Sequence, residues 1–569
     1  MSSGRIICAL TLPEVFDLIC SFLDTTVSRG HFFKSRVAYP NERRGDLVAL
    51  LRTCRSLFYL AARRLWGSLL NARHLLQLLP GVCVVEFLSS WAGSSGLEDD
   101  INLEDLNIVK ADLPAYLSPD YFNRFDLYAQ YVKHLIILDT FWLTAAETGA
   151  ADSLQSRQTL LSYACSHTLL PNLSSLEIWT DCTLAGENAA GFHGCMSWPK
   201  MFLSPLTTSV IVSCPKLPSH TQEETHEIVL AAIQQCSGLE HLELPLLAPN
   251  SPTNTPSSCL NFNKQTHILV NLRHLQCSRI VLTLEFVEWL AELPNLTHLA
   301  LDRLSMGDDA LLLVATPPHN IWSLKKLKIG SVTLEAATTL CNTLVAYNLA
   351  KLSIGFDRLV SVQPSSLFGQ LFTSIAKSYP NLAELYLSPL VDDMQIMVGC
   401  FEPLKTLPIR SLGMISMLGR DLTLANASRA IKNWTRLDKL SIGLTGYPVE
   451  ELSDILPFHP NLGVFHINLR EGTWGDLSFK PGQPNNLIYR PLSLISNFRF
   501  CEDYPEDKLD KLARYLTSLR PGIRCVSRSD WLRESSLKLV QQLTTLNSAL
   551  ASYSSGTIPS KTATISHPT

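Results

Sequence analysis

The sequence predicts an α/β solenoid, in which short parallel strands alternate with helices, preceded by a small helical module. Three observations lead to this fold class. A frame of the type L-x-x-L-x-L returns along most of the chain, apolar residues at helical spacing lie between many of its copies, and two amphipathic segments stand ahead of the first copy. Periodic return of one unit is typical of stacked repeats, because each repeat buries the apolar face of its neighbour.

The N-terminal module comprises residues 12–24 and 46–66. The first segment reads L-P-E-V-F-D-L-I-C-S-F-L-D, and the second reads D-L-V-A-L-L-R-T-C-R-S-L-F-Y-L-A-A-R-R-L-W. Both carry apolar residues at three-and-four spacing, which predicts amphipathic helices. Pro13 suits a first helical turn, where its missing N–H would have no partner. From spacing alone, the two segments could simply form a helical hairpin that packs under the next domain.

The leading L-P-E, the central T-C-R-S-L-F and the closing L-W make this module resemble an F-box. In that family the module binds the Skp adaptor, which in turn binds a cullin scaffold. The resemblance implies a docking surface or supporting core that comprises Leu12, Pro13, Leu18, Ile19, Leu23, Leu50, Cys54, Leu57 and Trp66. Two features depart from the family pattern: Glu14 follows Pro13 directly, and an insert at residues 25–45 separates the two segments.

The repeat frame begins clearly at Leu173, Leu239, Leu272, Leu296, Leu324, Leu349, Leu382, Leu404, Leu437 and Leu462, and more weakly at Val132 and Thr207. Alternation within each copy predicts a short strand with one buried side. The series resembles a leucine-rich-repeat solenoid, and with the N-terminal module it resembles F-box proteins of the fungal type. That family's consensus has Asn or Cys three residues after the frame, whereas Ile280, Leu304 and Val332 occupy such places here.

These patterns predict four regions. They are an F-box-like helical domain at 1–75 with its insert at 25–45, a helical connection at 76–131, a repeat solenoid with a closing unit at 132–526, and a C-terminal helix with a Ser/Thr-rich tail at 527–569.

The resemblance to leucine-rich repeats places the outward side chains of the strands on a concave binding face. The residues expected to bind a protein target there are Trp179, His241, His298, Lys326, Lys328, Lys351 and Tyr386. Lys326, Lys328 and Lys351 would form a basic cluster that holds an acidic or phosphorylated segment through charge-assisted hydrogen bonds. The alternative is that they are ordinary solubilising lysines.

The composition argues against several classes of function. Net charge is −4, which lacks the basic footprint of a nucleic-acid-binding protein. The fifteen cysteines contain no C-x-x-C pair and lie mostly among leucines, so we expect neither disulfides nor a metal site. The motifs G-x-x-x-x-G-K-[ST], G-x-G-x-x-G, H-E-x-x-H and G-x-S-x-G do not occur in the sequence. We therefore expect a non-enzymatic protein without cofactor or membrane span, located in the cytoplasm, the nucleus or both.

The expected function is substrate recognition for a Skp–cullin–F-box ubiquitin ligase, in which the F-box binds the Skp adaptor and the repeats bind an unknown protein substrate. One alternative is a stand-alone repeat scaffold that is not linked to ubiquitin. A third possibility is a hydrolase or transferase with scattered catalytic residues.

Overall fold

The computed structural model describes residues 48–49, 51–52, 55–70, 72–88, 107–112, 118–137, 141–142, 159–164, 166–179, 198–213, 219–244, 269–278, 280–306, 317–357, 364–389, 398–414, 428–429, 431–469, 490–496, 506–527 and 537–555. The chain divides into two compact units, Met1–Ile280 and Val281–Thr569, and each is described by itself.

The first unit contains a strand at each predicted repeat copy, together with further strands. Its strands are β1 (Ser68–Leu70), β2 (Cys83–Leu88), β3 (Asn107–Asp112), β4 (His134–Ile137), β5 (Phe141–Trp142), β6 (Ser175–Trp179), β7 (Ser209–Ser213), β8 (His241–Leu244) and β9 (His274–Cys277), and its α-helices are α1 (Arg55–Gly67), α2 (Arg73–Leu76), α3 (Phe122–Ala129) and α4 (Ser219–Gln235). Short 3-10 helices lie at Pro119–Tyr121 and Trp198–Phe202.

In this unit β1, β4, β6, β7, β8 and β9 pair side by side in that order, and every pair is parallel. A separate sheet joins β2 antiparallel to β3 and β3 parallel to β5. Parallel pairing therefore already begins at Ser68–Leu70, well before the first predicted frame at Val132.

In the second unit the same arrangement continues. Its strands are β11 (His298–Met306), β12 (His319–Asn320), β13 (Lys326–Val332), β14 (Leu344–Val345), β15 (Lys351–Phe356), β16 (Glu384–Pro389), β17 (Ser411–Met414), β18 (Lys439–Tyr447), β19 (Val464–Leu469), β20 (Leu492–Ser496) and β21 (Ile523–Ser527), after β10 (Ile280–Leu282) at the boundary; its α-helices are α5 (Leu284–Ala291), α6 (Leu334–Thr343), α7 (Pro364–Ser378), α8 (Glu506–Leu519) and α9 (Leu537–Ser554). The 3-10 helices are Val398–Thr406, Val449–Asp454 and Leu456–Phe458.

The strands β11, β13, β15, β16, β17, β18, β19, β20 and β21 pair in parallel in that order. A short parallel pair joins β12 to β14. Within each unit, stacked parallel strands of this kind confirm the predicted leucine-rich-repeat type of fold.

The repeat frame forms the core because its apolar positions face inward on every strand. Leu327, Leu352 and Leu385 occupy equivalent places on β13, β15 and β16, and none is more than 1% exposed. Burying one leucine side chain contributes about 1.5–3 kcal/mol. Repeated at each copy, this burial fixes which face of every strand is inside.

A recurring pair of backbone hydrogen bonds sets the register between neighbouring repeats. The carbonyl one residue ahead of a strand accepts two N–H groups from the next repeat. Lys325 O accepts from the N–H groups of Ala350 at 2.9 Å and Lys351 at 3.1 Å. The carbonyl of Ala350 in turn accepts from the two corresponding N–H groups of the next repeat. This pattern requires no particular side chain.

An asparagine immediately before the first frame position adds a second connection between repeats. Its side-chain amide donates to the carbonyl two residues ahead of the frame in the preceding repeat. The bonds are Asn172 to Gln130 O (2.7 Å), Asn271 to Ser237 O (3.1 Å), Asn348 to Trp322 O (2.7 Å), Asn381 to Tyr347 O (2.8 Å) and Asn461 to Thr435 O (3.0 Å). We call these bonds the asparagine rungs. They give asparagine a tethering role at a different place from the family consensus.

The predicted frame at Leu404 is wrong by five residues. The strand in this repeat is β17, so the frame begins at Ile409 and its later positions are Leu412 and Met414. The N–H groups of Arg410 and Ser411 share the Ala383 carbonyl, as expected at this register. The sequence fits the frame twice, at Leu404, Leu407 and Ile409 and again at Ile409, Leu412 and Met414. The first fit is not used, because Leu404 lies in the 3-10 helix Val398–Thr406.

Two helices of the second unit begin after a threonine that caps them. The hydroxyl of Thr283 accepts the Phe286 N–H ahead of α5, and that of Thr333 accepts the Ala336 N–H ahead of α6. Such caps satisfy N–H groups that have no partner within the helix. The predicted apolar stripe of α5 is buried, with Trp289 fully enclosed.

Candidate protein-binding surface

The outward face of β13 carries two of the predicted lysines. Lys326 and Lys328 are exposed, while Leu327 and Ile329 between and after them are buried. The alternation therefore places both charges on the same side of the strand. Lys351 begins β15 directly beside Lys326, and its side chain is half-buried.

Acidic residues on neighbouring strands neutralise part of this cluster. Lys328 Nζ lies 3.9 Å from Asp302 Oδ1 on β11, and Lys351 Nζ lies 3.0 Å from Glu384 Oε2 on β16. In the described part of the chain, Lys326 has no ion-pair or hydrogen-bond partner for its side chain. The surface is consequently a mixed-charge patch with one uncompensated lysine.

Tyr386 is held flat on this surface. Its hydroxyl lies 2.7 Å from Ser411 Oγ, and Lys351 Nζ lies 4.8 Å from the centre of its ring. Gly413 makes room beneath the ring, because a Cβ there would lie 2.5 Å from Tyr386 Cδ1. We call Lys351, Glu384, Tyr386, Ser411 and Gly413 the tyrosine cluster. It offers an aromatic face, a cation and an anion in a fixed arrangement.

The predicted histidines lie on strands of both units. In the first unit the rings of His241 and His274 are 5.5 Å apart at paired positions of β8 and β9. In the second unit His298 pairs with Lys326 and its Nδ1 lies 2.9 Å from Thr297 Oγ1. Trp179 ends β6, and the orientation of its side chain lies outside the description.

Helix α1 contains most of the described part of the F-box-like module, and residues 48–49 and 51–52 lie ahead of it. Leu57 and Trp66 are half-buried, and the Trp66 ring lies 4.7 Å from that of Tyr128 on α3. Ala61 is fully buried, and Leu51, Leu57, Leu60 and Leu65 pack around it. The apolar side of α1 is thus only partly covered by the described residues. The predicted residues Leu12, Pro13, Leu18, Ile19, Leu23, Leu50 and Cys54, and the insert at 25–45, lie outside the described part of the chain.

Three buried thiols lack the character of nucleophiles. Burial raises the pKa of Cys236 to about 11 and the pKa values of Cys341 and Cys525 to about 12. These cysteines therefore stay protonated near neutral pH, and a thiol is much less reactive than a thiolate. Among the residues that the structure describes, no group of three or more His, Cys, Asp or Glu could hold a metal ion.

Two exposed aromatic residues were missed in the sequence reasoning. Trp322 and Tyr347 are 61% and 41% exposed, and their rings stack with centroids 5.2 Å apart. Both stand two residues ahead of the first frame position of their repeats. An aromatic residue at the same place in two consecutive repeats is the sequence signal that could have identified them. The position precedes the strand, so alternation along the strand does not reveal it.

A groove of about 620 Å³ runs along α6, α7 and the 3-10 helix Val398–Thr406. Its lining includes Thr338, Gln370 and Glu402. Several of its hydroxyl groups bond within their own helices, as Thr373 does to the Gly369 carbonyl at 2.8 Å. Within the described ranges, no helix is long and apolar enough to cross a membrane.

Comparisons with known proteins find similarity only among solved structures. No family model matches the chain, and no curated protein matches it. The similar structures include a complex of TLR13 with ssRNA13 (12% identity, TM-score 0.29, covering 73% of this chain and 55% of that one) and an internalin from Listeria monocytogenes (14%, 0.26, 56% and 79%). A protein from Bacteroides fragilis also matches (13%, 0.23, 55% and 64%).

The match spans only about half of the TLR13 chain, at 55%. TM-scores of 0.29 and below are too low to establish a shared fold. The leucine-rich-repeat type of architecture therefore rests on this chain's own strand register and buried frame.

Proposed function

We propose that this protein is a substrate-recognition adaptor of a Skp–cullin–F-box ubiquitin ligase. The repeat units would bind a protein target, and the N-terminal module would bind the Skp adaptor. The observation that carries the target-binding part is the tyrosine cluster, whose mixed polar and aromatic side chains are fixed by contacts across neighbouring strands. Such an adaptor raises the concentration of target lysines near a ubiquitin-charged enzyme, without chemistry of its own.

The Skp-binding part is supported by the sequence resemblance and by the partly covered apolar side of α1. We expect Leu57→Asp, or Leu12→Asp in the first segment, to abolish capture of a purified Skp adaptor by the full chain. A charge placed in an apolar interface costs desolvation free energy that no partner repays. The measurement is a pull-down with purified components.

The matched control is Arg63→Ala, on an exposed residue of the same helix, and it should capture the adaptor normally. Circular dichroism should show that each variant is folded at the temperature of the pull-down, because Leu57 packs on the buried Ala61 and its aspartate variant can melt below the parent. Undiminished capture by both aspartate variants would contradict the assignment. Point substitutions are preferable to deletion of residues 1–75, because that deletion removes β1, the partner of β4.

A stand-alone scaffold is the second candidate, and the contact of Trp66 with Tyr128 favours it, because α1 would then serve as a cap on the repeats. The two functions differ in one measurable property. A scaffold would show no saturable binding to the Skp adaptor, whatever the state of Leu57.

Target binding through the lysines is a separate prediction. We expect Lys326→Glu to weaken target capture most, since Lys326 alone among the three lysines lacks an acidic partner in the described residues. Lys351→Ala should also release Glu384 and loosen Tyr386. Partners cross-linked to the full chain would be compared by quantitative mass spectrometry.

Lys377→Glu on the exposed side of α7 is the control for the same change of charge. An identical set of partners, at identical levels, for Lys326→Glu and the parent would show that the lysines only keep the surface soluble.

A further inference from the structure

A row of exposed apolar residues lies at one edge of the second unit. Pro294, Trp322, Tyr347 and Pro380 each stand two residues ahead of the first frame position of consecutive repeats, those of β11, β13, β15 and β16. All four are exposed, Trp322 by 61% and Tyr347 by 41%. We call this row the aromatic ridge.

The ridge is rigidly supported. The rings of Trp322 and Tyr347 are 5.2 Å apart and inclined by 26°, which is a stacked arrangement. Asparagine rungs hold the backbone beneath both, since Asn348 donates to Trp322 O and Asn381 donates to Tyr347 O. A ligand would therefore meet aromatic side chains that their mutual stacking already restricts, which lowers the entropy cost of binding.

Both aromatic residues also keep a hydrogen-bonding group available. Within the described residues, the indole N–H of Trp322 and the hydroxyl of Tyr347 have no hydrogen-bond partner. An extended polyproline-type peptide presents proline rings for aromatic surfaces, and its carbonyls are not bonded internally. In other proteins such peptides bind to grooves lined by aromatic side chains.

The charges beside the ridge determine what should flank the prolines. In the segments that lead from Trp322 into β13 and from Tyr347 into β15, the charged residues are Lys325, Lys326 and Lys351. Lys325 and Lys326 are exposed and have no ion-pair partner among the described residues. This positive charge complements acidic residues in a ligand.

The size of the ridge argues against a second copy of the chain as its occupant. Stable protein interfaces bury about 1,200–2,000 Å² in total, with some 20–30 residues on each side. The ridge consists of four side chains. A short linear segment fits this extent better than a folded surface does.

We propose that the aromatic ridge binds a proline-containing, acidic linear segment of the protein target. The inference rests on the proposed target-binding role of the repeats, and it requires nothing of the F-box-like module. The prolines would pack on Trp322 and Tyr347, the indole N–H would donate to a peptide carbonyl, and Lys325 and Lys326 would pair with flanking carboxylates.

The test uses the purified full chain and a fluorescein-labelled peptide of consecutive prolines flanked by glutamates. Fluorescence polarisation should show saturable binding that Trp322→Ala and Tyr347→Ala each weaken by about 30-fold or more, the loss that marks a dominant binding residue. The control is Phe458→Ala, which removes another exposed aromatic residue of the same unit and should leave binding unchanged. Because Trp322 is 61% exposed, its variant should melt at the parent's temperature.

A charge-reversed pair sharpens the result. Lys325→Glu combined with Lys326→Glu should weaken binding of the glutamate-flanked peptide and strengthen binding of a lysine-flanked one. Equal binding of either peptide to parent and Trp322→Ala would overturn the proposal. So would a concentration-dependent dimer, seen by sedimentation, that Trp322→Ala abolishes, because the occupant would then be a second copy. Skp capture by the same samples reports on the F-box-like module separately.

Discussion

Arg520 is fully buried although its guanidinium carries a permanent charge. It donates to the carbonyls of His459 at 2.9 Å, Pro460 at 2.8 Å and Leu462 at 2.6 Å, and its Nε donates to Arg490 O at 3.2 Å. The side chain thereby joins the turns ahead of β19 and β20 to the end of α8. Carbonyl dipoles that converge on one cation replace the water that burial removed.

We expect Arg520→Leu to lower the free energy of unfolding by about 3 kcal/mol or more, because it removes several hydrogen bonds from a charged donor, each worth about 1.5–3 kcal/mol. The carbonyls of His459 and Pro460 keep a backbone donor, from the N–H groups of Leu462 and Arg490. Urea titration followed by circular dichroism measures the change. Arg524→Leu, at an exposed position of β21, is the control and should have a small effect. Equal midpoints for the two variants would contradict the role given to Arg520.

The lowered pKa of the buried His459 makes the stability of the fold depend on pH. Burial, and to a smaller extent the nearby charge of Arg520, lower its pKa from 6.5 to about 4. Above about pH 6.5 both folded and unfolded chains keep this imidazole neutral. As the pH falls from there to about 4, the unfolded chain binds a proton that the folded chain does not, so stability decreases.

Between about pH 7.5 and about pH 5 we expect the parent to lose about 2 kcal/mol more stability than His459→Leu, which has no group to titrate there. Urea midpoints of both proteins at the two pH values give this difference, and effects of other groups cancel in it. A parent and variant with the same loss would show that His459 is not kept neutral by the fold.

At the scale of the element, two strand glycines show how closely neighbouring repeats approach. A Cβ on Gly355 of β15 would lie 1.9 Å from Gly330 O, and one on Gly330 of β13 would lie 2.3 Å from Asp302 O. Each position meets main chain, which cannot rotate away as a side chain can. The register of β13 against β15 shifts at this point, between Ile329 and Val332.

Gly355→Ala should therefore destabilise the protein by about 1–3 kcal/mol, the usual cost of overpacking. Gly369→Ala on α7 is the matched control, because a Cβ there meets nothing within 4 Å. Alanine inside a helix is favoured over glycine by about 0.5–1 kcal/mol, so this second variant should be more stable than the parent. Thermal melting of both should show shifts of opposite sign; two shifts in one direction would refute the close approach.

For the whole molecule, the periodic features were predictable and the contacts between repeats were not. The frame located most strands because its leucines must face the core whatever the loops do. The strand β1 was missed because Ser68–Leu70 is too short to show a period. Pairing of Lys351 with Glu384 depends on register across a variable connection, which spacing along one copy does not determine.

For the candidate binding surfaces, too, the sequence predicted the positions along a strand but not the contacts between strands. Alternation along β13 was enough to place Lys326 and Lys328 on the outward side. It could not indicate that Asp302 would approach Lys328, or that Gly413 would leave room for the ring of Tyr386. The aromatic ridge was missed because Trp322 and Tyr347 precede their strands and follow no alternating pattern.

The paired N–H groups that share one carbonyl at each repeat have a consequence for how this fold can change. Because main-chain hydrogen bonds and the asparagine rungs align the repeats, outward residues such as Lys326 or Ser353 contribute little to holding them together. Binding specificity can then change during evolution, or be engineered by replacing outward side chains one repeat at a time, while the hydrogen bonds between repeats stay intact.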